Sequence, residues 1–261
     1  MTSAHPWRTV AFVAFTLACV AAAFLLPAMP QPVAYHDFVD DRTLWGIPNF
    51  KNVTSNLAFV LAGVAGFAVI ARRPSAFVRP AERWPYYVFF AGVALTGFGS
   101  AYYHLDPNNE TLFWDRLPMT FAFAGLVAAQ IEERMAPRVG IALLPVLLVI
   151  GAASVIHWLV TERAGVGNVL PYAVLQGYTM AVVLLLAFTH PSRYTRGSDI
   201  YWVFAAYLAA KVTETLDVQI WEWTAGLVSG HTLKHFFAAL AGIIICFTLL
   251  RRHLQAAEAV A

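Results

Sequence analysis

The sequence predicts an all-α integral membrane protein, a seven-helix transmembrane bundle with an extra N-terminal transmembrane helix. The chain of 261 residues is 59% hydrophobic and only 12% charged, with a mean hydropathy of +0.63. Its apolar runs are about as long as a membrane-crossing helix requires, at roughly 18 residues or more. The basic residues concentrate in alternate loops, which is the pattern of a multi-pass protein.

Eight apolar runs joined by short loops are the candidate spans, so a single membrane domain is expected. They cover roughly residues 9–27, 54–71, 85–104, 112–131, 139–159, 168–189, 199–216 and 231–250. The runs are too long for strands and lack the two-residue alternation of a membrane β-barrel. No internal repeat is visible along the chain.

The first run admits two interpretations. Arg8 followed by the apolar residues 10–26 also fits a signal peptide, and a proline-rich stretch follows it. The run is long for a signal peptide, so a retained span is favoured. The predicted division is an N-terminal transmembrane helix at 1–30, a non-cytoplasmic loop at 31–53, a seven-helix membrane domain at 54–252 and a cytoplasmic tail at 253–261.

The distribution of positive charge orients these spans. One set of loops and ends contains Arg8, Arg72, Arg73, Arg79, Arg83, Arg134, Arg138, Arg193, Arg196, Arg251 and Arg252. The alternate set contains only Arg42, Lys51 and Arg163. The positive-inside rule then places both termini in the cytoplasm, which agrees with an even number of spans. The net charge of +2 says nothing about nucleic acid, and no nucleic-acid partner is expected.

Three histidines in two spans are the strongest functional signal. His104 ends the third run, and His231 and His235 lie in the first two turns of the eighth. The four-residue spacing places the imidazoles of His231 and His235 on one helix face. Three neutral imidazoles with one open position are the ligand set of a catalytic zinc ion. The sequence therefore predicts a Zn²⁺ site.

Two further polar residues are expected at the same depth. Ser100 precedes His104 by one turn, and Asp115 lies in the first turns of the fourth run. Taken singly, an interfacial histidine, a first-turn aspartate and a serine bonded to its own helix are each ordinary. Together, at one depth just inside the non-cytoplasmic boundary, they indicate an active site, since ionisable residues inside a membrane are usually functional.

The charged neighbours of this group are expected to have simpler roles. Lys211 and Glu214 are spaced to neutralise each other. Lys234 lies off the histidine face and is expected to extend outward to the membrane surface. Glu214 or Asp217 is a candidate partner for the N–H of a ligand imidazole.

At these residues the chain resembles the alkaline ceramidase family, within the wider group of seven-span membrane hydrolases that includes adiponectin-receptor-like proteins. The family pattern is Ser-x-x-x-His in one span, Asp at the start of the next, and His-x-x-x-His in the last. The matching residues are Ser100, His104, Asp115, His231 and His235, with Gly99, Leu117, Pro118 and Met119 beside them. The likeness covers roughly residues 40–250, so the first helix is an addition to the seven-helix core.

The resemblance implies a zinc-dependent amidohydrolase acting in sphingolipid metabolism. The substrate would be a ceramide-like N-acyl lipid of the bilayer, cleaved to a fatty acid and a free amine. With zinc on His104, His231 and His235, Asp115 would serve as general base and then acid. Ser100 would donate a hydrogen bond to the developing oxyanion.

The loop before the second run departs from the family pattern. Eukaryotic members carry an acidic calcium-binding loop there, and this chain has Asp37, Asp40, Asp41, Trp45 and Asn49. The spacing differs, and Asn49 stands where an acid is expected. Binding of Ca²⁺ and simple solvation of an acidic loop therefore both remain open.

Two other functions are weighed against hydrolysis. A lipid-sensing, receptor-like protein would use the zinc structurally, with little turnover, but a structural site closes its fourth position with a protein ligand. A transporter would place polar groups at the midplane, where several of these spans are nearly free of charge. The sequence predicts neither the oligomeric state nor the chain length of the lipid.

Overall fold

The structure is a computed structural model that describes residues 6–255. Residues 1–5 and 256–261, which belong to the predicted N-terminal segment and cytoplasmic tail, lie outside the described residues, as does the side chain of Arg8. Within 6–255 the regular structure is helical, and extended pairing is limited to isolated bridges. The all-α prediction is therefore confirmed for this part of the chain.

Each predicted apolar run falls on a helix. The helices are α1 (Pro6–Leu25), α2 (Phe50–Ser55), α3 (Leu57–Arg72), α4 (Trp84–Leu105), α5 (Asn109–Arg134), α6 (Pro137–Arg163), α7 (Leu170–Thr189), α8 (Asp199–Thr215), α9 (Asp217–Trp223) and α10 (Gly230–Arg251). The eight runs correspond to α1, α3 to α8, and α10.

By length and composition alone, four helical stretches in the described part are able to cross a membrane. They are Phe50–Arg72, Pro137–Arg163, Leu170–Thr189 and Gly230–Arg251, and Thr9–Leu25 is a shorter apolar helix. Helix α8 has only 17 residues. Helix α5 carries several charged side chains, most of them buried. Composition thus supports four of the eight predicted spans.

Helices α4 and α5 lie backbone to backbone along their length. A Cβ on Gly99 would lie 1.9 Å from the carbonyl oxygen of Trp114, and one on Gly92 would lie 2.3 Å from the backbone nitrogen of Ala122. A Cβ on Gly125 of α5 would lie 2.5 Å from the backbone nitrogen of Phe89 of α4. Glycines permit this approach, as they do in membrane helix pairs. The approach brings the Ser100 end of α4 against the Asp115 end of α5.

The starts of α5 and α10 are set by capping side chains. Asn108 accepts hydrogen bonds from the backbone N–H groups of Glu110 and Thr111, at 2.9 and 3.0 Å. Ser229 accepts one from the backbone N–H of Thr232 at 3.1 Å. Caps of this kind satisfy the free N–H groups of a first turn. They fix the turns on which Asp115 and His231 lie.

At the opposite end of the bundle, arginines of the predicted cytoplasmic side enter a buried ion-pair cluster. Arg193 pairs with Glu132 and, at 2.9 Å, with Glu82, and Arg252 pairs with Glu133. The carboxylates of Glu132 and Glu82 are fully buried. The cluster connects the loop before α4 with α5, the loop before α8 and the residues after α10.

Candidate functional site

The three predicted ligands converge in the structure. His104, His231 and His235 are all buried, and their candidate ligand atoms lie within 4.8 Å of one another. Nε2 of His231 is 3.3 Å from Nε2 of His104. Helix α10 contributes two of the three rings because its first two turns face the C-terminal end of α4.

This geometry fits a metal ion. Zn–N bonds of about 2.0–2.1 Å in a tetrahedral site separate two nitrogen ligands by about 3.3 Å. Nε2 of His235 is buried, with no hydrogen-bond partner among the described residues. Buried nitrogens are rarely left unpartnered, so a ligand that is not protein is expected there.

The imidazoles are held by residues that the sequence analysis did not identify. The hydroxyl oxygen of Ser55 lies 2.7 Å from Nδ1 of His235. The ring of Phe38 packs against those of His104 and His231, with centroids 4.7 and 4.5 Å apart. Ser55 ends the short helix α2, and Phe38 belongs to the loop before it, so only the tertiary fold brings them here.

Ser100 and Asp115 line a cavity of about 450 Å³ beside His235. Both side chains are buried, and the Ser100 hydroxyl lies beside the Asp115 carboxylate. The cavity wall therefore presents a carboxylate, a hydroxyl and one of the clustered imidazoles together. These groups are suited to moving a proton and to binding an oxygen that gains negative charge.

The cavity extends from this polar end toward the middle of the bundle. Phe89 and Leu126 line it. On α4, Phe89 lies eleven positions before Ser100, and on α5, Leu126 lies eleven positions after Asp115, so both are toward the end of the bundle opposite the histidines. At 1.5 Å per residue this is about 16 Å of depth. Met180 and Val183 of α7 and Val203 of α8 complete the apolar wall. The inner part has the character of a site for an alkyl chain.

The expectation that Lys234 extends outward is wrong. Lys234 lines the cavity, and its ammonium group lies 3.0 Å from Glu214. Glu214 also pairs with Lys211, as predicted. Because α8 packs against α10, a carboxylate is within reach, and a buried ion pair replaces exposure of the lysine at the membrane surface.

Glu214 and Asp217, the candidate partners for a ligand imidazole, bond other groups in the structure. Asp217 accepts a hydrogen bond from the backbone N–H of His231 at 2.6 Å. Glu214 is occupied by the two lysines. The imidazole partner that the structure provides is Ser55, a hydroxyl too common in the sequence to have been recognised.

In the acidic loop, Asp40 is the buried member. Arg42 donates to both of its carboxylate oxygens, at 2.7 Å each. Asp37 and Asp41 are exposed. Among the described residues, the group of side chains placed to hold a metal ion is His104, His231 and His235.

Comparison with known proteins identifies the family. A search of curated protein sequences gives no match to this chain. The sequence model of the family described as Ceramidase matches residues 44–258, which include all five predicted site residues and most of the chain. This chain belongs to the ceramidase family.

Proposed function

We propose that this chain is a zinc-dependent membrane hydrolase that cleaves the amide bond of ceramide-like N-acyl lipids and releases a fatty acid. Membership of the ceramidase family supports ceramide hydrolysis. The observation that carries the proposal is the buried histidine cluster next to a cavity lined by Ser100 and Asp115.

His104, His231 and His235 are the residues that would hold the metal. A zinc ion bound there would activate a water molecule and polarise the substrate carbonyl. Imidazole ligands and hydrolytic chemistry favour zinc over other divalent ions.

Asp115 transfers the protons, and Ser100 binds the carbonyl oxygen of the substrate. A carboxylate oxygen of Asp115 takes a proton from the attacking water and passes it to the leaving nitrogen. The Ser100 hydroxyl, which lines the same cavity as Asp115, donates to the carbonyl oxygen as negative charge develops on it. The two residues lie on neighbouring turns of α4 and α5, whose close contact keeps them together.

The membrane supplies the substrate. The acyl chain occupies the apolar part of the cavity, about 16 Å deep, and the scissile amide lies at the polar end. The alkyl chain thus stays among apolar side chains while the amide meets the reacting groups.

The proposal includes the predicted topology. Helices α1, α3 to α8 and α10 cross the membrane, both termini are cytoplasmic, and the site lies near the non-cytoplasmic face. The segment 1–30 contains the added helix α1, 31–53 is the outer loop, 54–252 the hydrolase domain and 253–261 the tail. Packing of α1 on α7 supports its place in the bundle, since the Thr16 hydroxyl is 3.1 Å from that of Tyr178.

The test is metal content and N-acyl-lipid hydrolysis measured on one detergent-purified preparation. We expect about one zinc per chain and release of fatty acid from the wild type. His231→Ala should lose both, and Asp115→Asn should keep zinc and lose hydrolysis. His157→Ala is the matched control, because His157 is an exposed histidine on α6.

Two results would contradict the proposal. Bound zinc with no hydrolysis of any acyl lipid would favour a lipid-sensing protein. A wild type that binds no metal would overturn the assignment of the histidine cluster.

A further inference from the structure

Arg116 is a buried arginine in the cavity wall that forms no ion pair with a carboxylate among the described residues. Its side chain follows Asp115 on α5, lines the cavity, and is only 6% exposed. Nη2 donates to the side-chain oxygen of Gln31 at 2.6 Å. Nη1 is buried with no hydrogen-bond partner in the part of the chain that the structure describes. A buried guanidinium without a counter-charge is unfavourable, so a missing anionic partner is indicated.

Aromatic rings hold this guanidinium in position. Its carbon lies 4.4 Å from the ring centroid of Trp158, 5.1 Å from that of Tyr172 and 5.4 Å from that of Tyr35. Cation–π contacts of this kind offset part of the cost of burial. They also orient a rigid, planar donor group before any ligand arrives, which favours two-point binding of an oxyanion.

The other cations in the cavity wall are already paired. Lys211 and Lys234 both form ion pairs with Glu214. Asp115 attracts Arg116 electrostatically, but the two side chains form no ion pair in the described part of the chain. Arg116 is therefore the cation of this wall, among the described residues, that retains an unused charged donor.

The position of Arg116 determines which part of a substrate it would meet. It lies at the polar end of the cavity with Gln31, which comes from the loop after α1. The acyl chain is assigned to the other end, toward Phe89 and Leu126. A substrate group that lies beside Arg116 would thus belong to the amine part of the lipid, on the nitrogen side of the scissile amide.

We propose that Arg116 and Gln31 form an oxyanion subsite, and that the preferred substrates are N-acyl lipids with a carboxylate or phosphate on the amine part. This inference rests on the proposed hydrolase function. Within the N-acyl lipids it selects those with an acidic group on the amine part, and it assigns a selectivity-determining residue.

The experiment compares substrates that share one acyl chain, using the full chain in detergent. The carboxylate probe is N-palmitoylglycine, the phosphate probe is the phosphate monoester of N-palmitoylethanolamine, and the neutral reference is N-palmitoylethanolamine. The readout is the ratio of kcat/KM for each acidic probe to that for the neutral reference. We expect a wild-type ratio well above one for at least one acidic probe.

Substitution of Arg116 should reduce that ratio. In Arg116→Gln we expect it to fall at least about tenfold, since a hydrogen bond to a charged group contributes this much. Arg116→Lys should retain part of the preference, because lysine keeps the charge and loses the planar fork. Arg163→Gln is the control, since Arg163 is 61% exposed and pairs with Glu110 on the outer side; its ratio should equal that of the wild type.

The outcomes separate this inference from the hydrolase proposal. An unchanged ratio in Arg116→Gln, with all probes cleaved, would overturn the subsite and leave the hydrolase intact. An unchanged ratio combined with weaker inhibition by palmitate would assign Arg116 to the released fatty acid, which also overturns the proposal.

Binding measurements decide the question if no probe is cleaved. N-Palmitoylglycine should then bind the Asp115→Asn protein at least about tenfold more tightly than N-palmitoylethanolamine does. Adding Arg116→Gln should remove that preference, and equal binding of the two lipids to Asp115→Asn would overturn the subsite. If the glutamine variant does not fold, Arg116→Lys serves in its place in both measurements; its preference should then fall only in part, and an unchanged preference would overturn the subsite.

Discussion

The Ser55 hydroxyl lies 2.7 Å from Nδ1 of His235 and donates its own hydrogen to the carbonyl oxygen of Asn52, at 3.2 Å. A hydroxyl has one hydrogen, so toward His235 it acts as the acceptor of an Nδ1–H bond. That tautomer leaves the lone pair of the imidazole on Nε2. Nε2 is the buried nitrogen without a partner, so Ser55 prepares His235 as a metal ligand.

Ser55→Ala should therefore weaken metal binding. We expect the zinc affinity to fall about 10–100-fold, because partners that orient ligand imidazoles contribute this much. Competition with a chelator of known affinity measures it. Ser154→Ala is the control, since this buried serine bonds only the carbonyl of Gly151 in its own helix. Equal zinc affinities of Ser55→Ala and Ser154→Ala would show that Ser55 does not support metal binding.

The contact between α4 and α5 should not tolerate a methyl group at Gly99. A Cβ there meets the backbone of Trp114, so Gly99→Ala must push the helices apart and separate Ser100 from Asp115. We expect a loss of about 1–3 kcal/mol in the free energy of unfolding and at least a tenfold loss of hydrolysis. Thermal unfolding and an activity assay in detergent measure the two effects.

Gly177→Ala is the matched control for that prediction. Gly177 lies inside α7, and a Cβ added there meets nothing within 4 Å. Alanine should leave stability unchanged or raise it by about 0.5–1 kcal/mol. Similar losses in the two variants would show that the helix contact at Gly99 is not the cause.

The ion pair between Lys234 and Glu214 should be needed for folding. Both side chains are largely buried, so Glu214→Gln leaves the Lys234 charge without compensation beside the histidines. We expect a loss of about 3 kcal/mol in the free energy of unfolding. Glu214→Gln with Lys234→Met should recover much of it, which a double-mutant cycle measures. Additive losses would contradict the coupling.

Glu82 should make the stability of the protein depend on pH. Burial raises the pKa of its carboxyl, but hydrogen bonds from Arg79, Arg193 and Tyr194 outweigh burial and lower the pKa to about 2 from an ordinary 4.5. The unfolded chain therefore binds this proton at a higher pH than the folded chain does. The stability that Glu82 contributes is fully present above about pH 4.5 and is lost as the pH falls toward 2.

Unfolding temperatures of the wild type and Glu82→Gln test this dependence. The wild type should be the more stable at neutral pH, and the difference should shrink as the pH falls from about 5 toward 2. A difference that stays constant over this range would show that the charge of Glu82 makes no contribution.

Local patterns in the sequence predicted the helices and the ligand set. The lengths of the apolar runs predicted where helices lie, because backbone groups in lipid must be satisfied within one segment. The spacing of His231 and His235 predicted a shared face, since residues four apart stack on a helix. The partners of these residues were not predictable in this way, as Lys234 illustrates: its outward direction was wrong because Glu214 comes from another helix.

The sequence by itself determined the helical membrane class, the residues of the histidine cluster and the alternation of charge between the two ends. Each of these depends on composition or on spacing within one segment. Only the tertiary structure decided which groups lie beside the cluster and in the adjoining cavity wall: the Ser55 hydroxyl, the Phe38 ring, the ion pair of Glu214 with Lys234, and the Arg116 guanidinium. These contacts join residues from different helices and loops, and their distances depend on how closely helix backbones approach, which glycines such as Gly99 permit and packing then sets.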